Sequence, residues 1–261
     1  MHGALHVATT GMSAQDTQLK VISNNLANVS TVGFKKDRAV FEDLLYQTLR
    51  QPGAESGADS QLPSGLQLGS GVRTVSTQKM FEEGDFQITD NAFDVAIAGA
   101  GFLQVIKPDG ETAYTRNGQL AIDSENRLVT TEGYLIDPAI TLPSEVVNFS
   151  ISVDGIVSVT TAGNAAPQQI GNLELANFVN PQGLQSIGQN LFIETAGSGA
   201  ALLATPGTEG TGQLTQGVLE GSNVNAVEEL VNMIQTQRAY EMNSKVISTA
   251  DAMLQYATQN M

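Results

Sequence analysis

Few side chains in this sequence are of the kinds that make or break covalent bonds. Both histidines, His2 and His6, fall within the first six residues, one helical turn apart. That spacing could hold a metal ion, but a third ligand is not nearby, so no metal site is expected. Gly99-Ala100-Gly101 follows the apolar run Val95–Ala98, as a dinucleotide-binding loop would. The third glycine of that fingerprint is replaced by Gln104, and a strand rather than a helix follows. Close backbone packing is therefore the reading, and no cofactor is expected. Asp123 with Glu125, or Asp85, Asp90 and Asp94, could supply paired carboxylates for sugar chemistry. All lie beside turn residues, where aspartate serves the backbone anyway. Cysteine and the Gly-x-Ser-x-Gly elbow are absent and no histidine follows residue 6, so the usual nucleophile–base pairs have no members. An enzyme is not expected, and no catalytic residue is assigned.

The charge balance points away from other classes too. The formal net charge is −15 over 261 residues, unevenly placed. Residues 51–221 carry five Lys/Arg against nineteen Asp/Glu, or −14, while both ends are close to neutral. An acidic middle with few aromatics is unsuited to nucleic acid or to an anionic membrane surface. Charged residues make up only 15%, below the ~25% of ordinary soluble chains. A surface of Gln, Asn, Ser, Thr and Gly costs little to desolvate and suits extensive subunit contact, or equally a secreted β-rich protein. No segment reaches the ~18 apolar residues of a membrane span. The start shows no basic region with an apolar block and cleavage site, so a Sec-type signal is not expected and any export would follow another route.

What positions the side chains is a pair of long amphipathic segments at the two ends. Residues 222–261 follow a run of glycines, and Asn225 with Glu228 three residues on has the spacing of a capping box. No Gly or Pro follows Asn223, so the helix runs unbroken for roughly 50 Å. Its apolar residues fall in two blocks, Val224, Val227, Leu230, Val231 and Ile234, then Ala239, Met242, Val246, Thr249, Met253 and Tyr256, with Tyr240, Ile247 and Leu254 beside them. Such a helix is marginal alone and needs a partner. Residues 3–29 supply one: Leu5, Ala8, Met12, Gln15, Leu19, Ile22, Leu26 and Val29 alternate by three and four, with Gly11 a local weak point.

Between the helices the period changes to two. Residues 39–50 are apolar and fit a strand or a short helix. Residues 51–71 form a Gly/Pro/Ser-rich arm, and Val72–Phe81 resumes as a strand. From 91 to 138 the chain reads as hairpins, with turns at Pro108-Asp109-Gly110 and Asn117-Gly118. A second β set follows, turning at Asp154-Gly155, before a Gly-rich return over 197–217. The expected class is α+β: paired, coiled-coil-like terminal helices with an all-β domain inserted between them. The divisions are an N-terminal core helix at 1–30, an arm and linker at 31–90 with its long loop at 39–71, the β domain at 91–204, a return at 205–221 and a C-terminal core helix at 222–261.

Specific strings then narrow the class. Asn24-Asn25-Leu26-Ala27-Asn28-Val29 with Gly33-Phe34-Lys35, the central Asp94-Val95-Ala96-Ile97, Gly99-x-Gly101-Phe102 and Tyr114-Thr115-Arg116-x-Gly118, and the C-terminal Ser222-Asn223-Val224-Asn225, Glu228–Ile234 and Gln237–Glu241 resemble the bacterial flagellar rod and hook axial proteins, in order along the whole chain. Val40–Thr48, Arg50–Gly53 and Leu62–Gly69 resemble the branch of that family that builds the distal rod. The resemblance implies a hollow helical polymer that transmits torque from motor to hook. Its terminal helices would line the inner tube, and its partners would be further copies, other rod subunits, the hook protein and the bushing rings. Export unfolded through the flagellar type III apparatus, into the basal-body rod and without a cleaved signal peptide, is implied as well. The expected assembly interface is Leu5, Met12, Leu19, Ile22, Leu26 and Val29 with Val227, Leu230, Val231, Ile234, Tyr240, Met242, Val246, Ile247, Met253 and Leu254. Phe41, Leu44, Leu45, Tyr46, Leu62, Leu66 and Leu68 serve the arm. A proximal rod or hook subunit is the near alternative, and a secreted β-rich adhesin the distant one.

Overall fold

The computed structural model describes every residue except 1, 54, 58, 59, 62, 163, 260 and 261. The chain is α+β, with a helix at each end and a β-rich middle. It divides into two compact units: Met1–Ala27 with Asp37–Gln78 and Asn225–Met261, and Asn28–Lys36 with Lys79–Val224.

In the first unit, helix α1 spans His2–Ala27 and helix α2 spans Ala226–Gln259. The start of α2 is set by Asn225, whose side-chain oxygen accepts from the amides of Val227 and Glu228 at 3.0 and 3.3 Å. Glu228 and Glu229 in the first turn meet the positive end of the helix dipole. Asn225→Ala is expected to cost about 1 kcal/mol and to fray the first turn, read by thermal melting and by amide exchange at 226–229. Helix α1 ends two residues before Val29. Asn28 instead accepts a turn hydrogen bond from the Thr31 amide, and Gly33 takes a left-handed conformation (φ +69°).

Residues 39–50, open between helix and strand in the sequence, are extended. The strand Asp37–Asp43 pairs with Val72–Lys79, and Tyr46–Arg50 pairs antiparallel with Leu66–Gly69. Glu55–Gly57 and Ser60–Gln61 pair beyond them. The Gly/Pro-rich arm is thus a β-ribbon over much of its length.

The second unit holds a nine-stranded sheet and smaller sheets around a core that includes Val95, Ile97, Leu103, Val105, Leu128, Leu173 and Leu175. A separate aromatic cluster sets Phe81, Phe102, Tyr114, Phe178 and Phe192 edge to face, with ring centroids 4.9–5.9 Å apart. The Asp109-Gly110 and Asp154-Gly155 turns close hairpins, each with its glycine left-handed. Asn117-Gly118 does not. Strand Thr112–Thr115 pairs with Phe102–Ile106 and Leu191–Ile193, whereas Leu120–Ile122 pairs onward with Leu128–Thr130. Gly118 is there for close approach: a Cβ would lie 1.5 Å from the Val95 carbonyl oxygen, beside the bond from the Val95 amide to the Gly118 carbonyl. The Gly-rich return also carries strands: Gln213–Gln216 pairs with Val95–Ala98, and Val218–Glu220 with Phe86–Ile88.

Candidate assembly surfaces

Helices α1 and α2 pack on each other through small and polar residues rather than through the apolar stripe of α2. Asn25 donates to the Glu229 carboxylate at 3.3 Å, and Gly11 lies against Asn243, which a Cβ would approach to 3.1 Å. These contacts are fourteen residues apart on each helix (11 to 25, 229 to 243), so the helices run antiparallel in one register. The same register sets Gln18 opposite Thr236. Polar residues therefore recur every seventh position at Glu229, Thr236 and Asn243, with Ala250 next, and three of these four are buried outright. A buried polar pair contributes little net stability, but a shifted register would strand each member without its partner. Asn25 does more: its side chain accepts from the Asp37 amide and donates to the Asp37 carbonyl, both at 2.9 Å, fixing the first residue of the following strand.

The apolar residues of α2 are consequently left outside. Val227, Leu230, Val231, Ile234, Tyr240, Met242, Val246, Met253 and Tyr256 are exposed, from 38% at Tyr240 to 72% at Tyr256. Only Ile247 and Leu254 of the expected α2 set are half-buried. On α1, Ile22 is 1% exposed, whereas Leu5, Met12, Leu19 and Leu26 are half-buried. Val29 is half-buried past the helix end, in the second unit. Of the arm set, Phe41, Leu45, Tyr46, Leu66 and Leu68 are exposed and Leu44 half-buried, while Leu62 lies outside the described residues. Exposed apolar side chains thus recur along some 30 residues of one helix.

The second unit is locked by a charge cluster that sequence reasoning left unassembled. Lys35, from the turn after α1, donates to the Glu220 carboxylate at 2.5 Å and to the Glu82 carbonyl at 2.6 Å. The Arg116 Nε donates to the other Glu220 oxygen at 2.9 Å, and its Nη2 to the carbonyls of Ile97 and Gly99. The amides of Gly84 and Gly33 complete the set, on the Glu220 carboxylate and its main-chain oxygen. All three charged side chains are at most 2% exposed. Burial, then the neighbouring Arg116, holds the Lys35 pKa below the ordinary lysine value, against the opposing pull of Glu220. Lys35 and Arg116 stand in strings already singled out, but Glu220 does not. Its one signal is a carboxylate closing the apolar strand Val218-Leu219-Glu220 in a chain poor in charge.

Among the described residues, no group of three or more His, Asp or Glu is arranged to hold a metal ion, and no helix is long and apolar enough to cross a membrane.

Three family descriptions match the chain in order: "Flagella basal body rod protein" over residues 5–35, "Flagellar hook protein FlgE/F/G D1 domain" over 96–159, and "Flagellar basal body rod FlgEFG protein C-terminal" over 215–260. The chain is 57% identical over 256 residues to flagellar basal-body rod protein FlgG of Buchnera aphidicola subsp. Schizaphis graminum, covering 98% of each chain. FlgG of Caulobacter vibrioides is 50% identical over 257 residues, again with 98% of each covered. FlgG of Bacillus subtilis is 39% identical, with 97% of this chain and 96% of that one covered.

Proposed function

From the premise that this chain belongs to the FlgG family of flagellar basal-body rod proteins, we propose that its copies polymerise into the hollow distal rod, the torque-carrying shaft between motor and hook. It is a structural subunit of the basal-body rod and assembles with other rod and hook components. The observation that carries the polymer reading is the exposed stripe of α2. The helix is already packed on α1 by its polar side, yet it presents Val227 to Tyr256 to solvent. Copies of the helix pair ringed about an axis bury that stripe, with residues 1–30 and 222–261 forming the inner tube. Within each pair the heptad spacing of Glu229, Thr236 and Asn243 makes a coiled-coil-like seam. The bushing rings and the type III export apparatus complete the expected partners. The test is electron microscopy of purified protein at high concentration: tubes are expected, and protein that stays dispersed would count against the reading.

The arm gives the rod its stiffness on this reading. A bending tube needs subunits that slide, whereas a drive shaft needs a contact bridging them along its axis. A β-ribbon with Tyr46, Leu66 and Leu68 exposed is stiffer than a coil and offers apolar anchors to a neighbour. Deleting residues 51–68 is expected to leave tubes that still assemble but curve. Straight tubes indistinguishable from the parent would make the arm an ordinary surface loop.

A further inference from the structure

A groove of about 670 Å³ opens within the first unit, between the first turns of α1, the root of the arm ribbon and α2. Val7 and Ala8 line one wall, Leu68 and Gly69 another, and Val246 a third. None of its lining residues is Asp, Glu, Lys or Arg, in a chain whose net charge is −15. The polar side chains on its wall are His6, Gln47, Ser70 and Asn243, without a carboxylate or a Lys/Arg cation, so an uncharged occupant is favoured there. Val246 also belongs to the exposed stripe of α2, so the groove is continuous with the surface proposed for assembly.

The chain carries a matching projection. Leu44 to Leu49 is six residues without a charge, and Leu45, between the two strands there, is 89% exposed, the highest value among the exposed large apolar residues. Its backbone is held on both sides: the Leu44 amide donates to the Gly71 carbonyl at 2.8 Å, and Tyr46 is in register with Gly69. A backbone already held in place loses little freedom when its side chain docks. With 89% of its surface free, Leu45 does not fill the groove of its own chain. A helical polymer, moreover, requires a heterologous contact, in which one patch meets a different patch on the next copy.

We propose that Leu45 of one copy seats in the α1–arm–α2 groove of the next, a contact that rests on the polymer reading and supplies one of its head-to-tail joints. The chain's lack of cysteine allows a direct test. Two single-cysteine variants, Leu45→Cys and Val246→Cys, are mixed, assembled and mildly oxidised, with the exposed Val153→Cys replacing Val246→Cys as control. Disulfide-linked heterodimers are expected from the first mixture and not from the control. Tubes without that heterodimer would overturn the Leu45 contact and leave the polymer standing. Dispersed parent protein that forms no tubes would overturn both. Should the cysteine variants assemble poorly, Leu45→Asp provides a second reading. Its monomer is expected to melt with the parent while the critical concentration for assembly rises about tenfold or more, and an unchanged critical concentration would refute the contact.

Discussion

Glu220→Gln is expected to destabilise the β-rich unit by about 3–5 kcal/mol, because it leaves two buried cations facing each other without their shared carboxylate. For a unit of this size that is roughly 6–20 °C in melting temperature. Lys35→Met should cost far less, since it removes one cation of an uneven trio and replaces it with a side chain of similar length. Differential scanning calorimetry of the two variants gives the comparison, and equal losses would show that the pairing with Glu220 is not what stabilises the cluster. The lysine also predicts a pH dependence. Its folded pKa lies below the unfolded one, so between those two values the unfolded chain holds the extra proton and acid favours unfolding. Parent stability should therefore gain relative to Lys35→Met as pH rises through the interval just below the ordinary lysine pKa of 10.5. A difference that stays flat or falls over that interval would contradict the assignment.

The second large effect separates folding from assembly. Leu230→Asp combined with Met242→Asp places carboxylates on the exposed stripe of α2, where single-chain stability should change by no more than about 0.5 kcal/mol per site. Tube formation should nevertheless be abolished, because burying those carboxylates between copies costs several kcal/mol or forces their protonation. Ile22→Asp should do the reverse of the first half: at 1% exposure it lies inside a single copy and ought to unseat α1 before assembly begins. Circular dichroism melting followed by electron microscopy distinguishes the two classes. Tubes of normal yield from the stripe variant would mean that this face of α2 is not between copies.

The parts of the fold legible in the sequence were those set by local chemistry. Asn225 marks the start of α2 because its side chain reaches amides two and three residues on, and Asp109-Gly110 and Asp154-Gly155 mark hairpins because the turn needs a left-handed glycine. Asn117-Gly118 misled because the same pair of residues serves a different need, contact with the Val95 backbone 23 residues earlier. The stripe of α2 was visible, but not that α1 packs on another side of that helix. Apolar periodicity locates a surface without naming its occupant. Glu229, Thr236 and Asn243, spaced by sevens, were the signal for the inner seam, and they are polar where an apolar pattern was sought. The lock at Glu220 was beyond reach for a simpler reason: its partners stand 104 and 185 residues away.

The antiparallel helix pair also dictates an order of events in synthesis. Asn243 emerges 232 positions after Gly11, by their numbers. At the usual ~5–20 residues per second, α1 waits roughly 10–50 s for the segment it packs against. A lone amphipathic helix of 26 residues is only marginally formed over that time. The first unit therefore cannot close before the segment of α2 around Asn243 has emerged, and its folding is a long-range step. Asn25 meets Glu229 first, and each later turn of α2 extends the seam back along α1 toward Gly11.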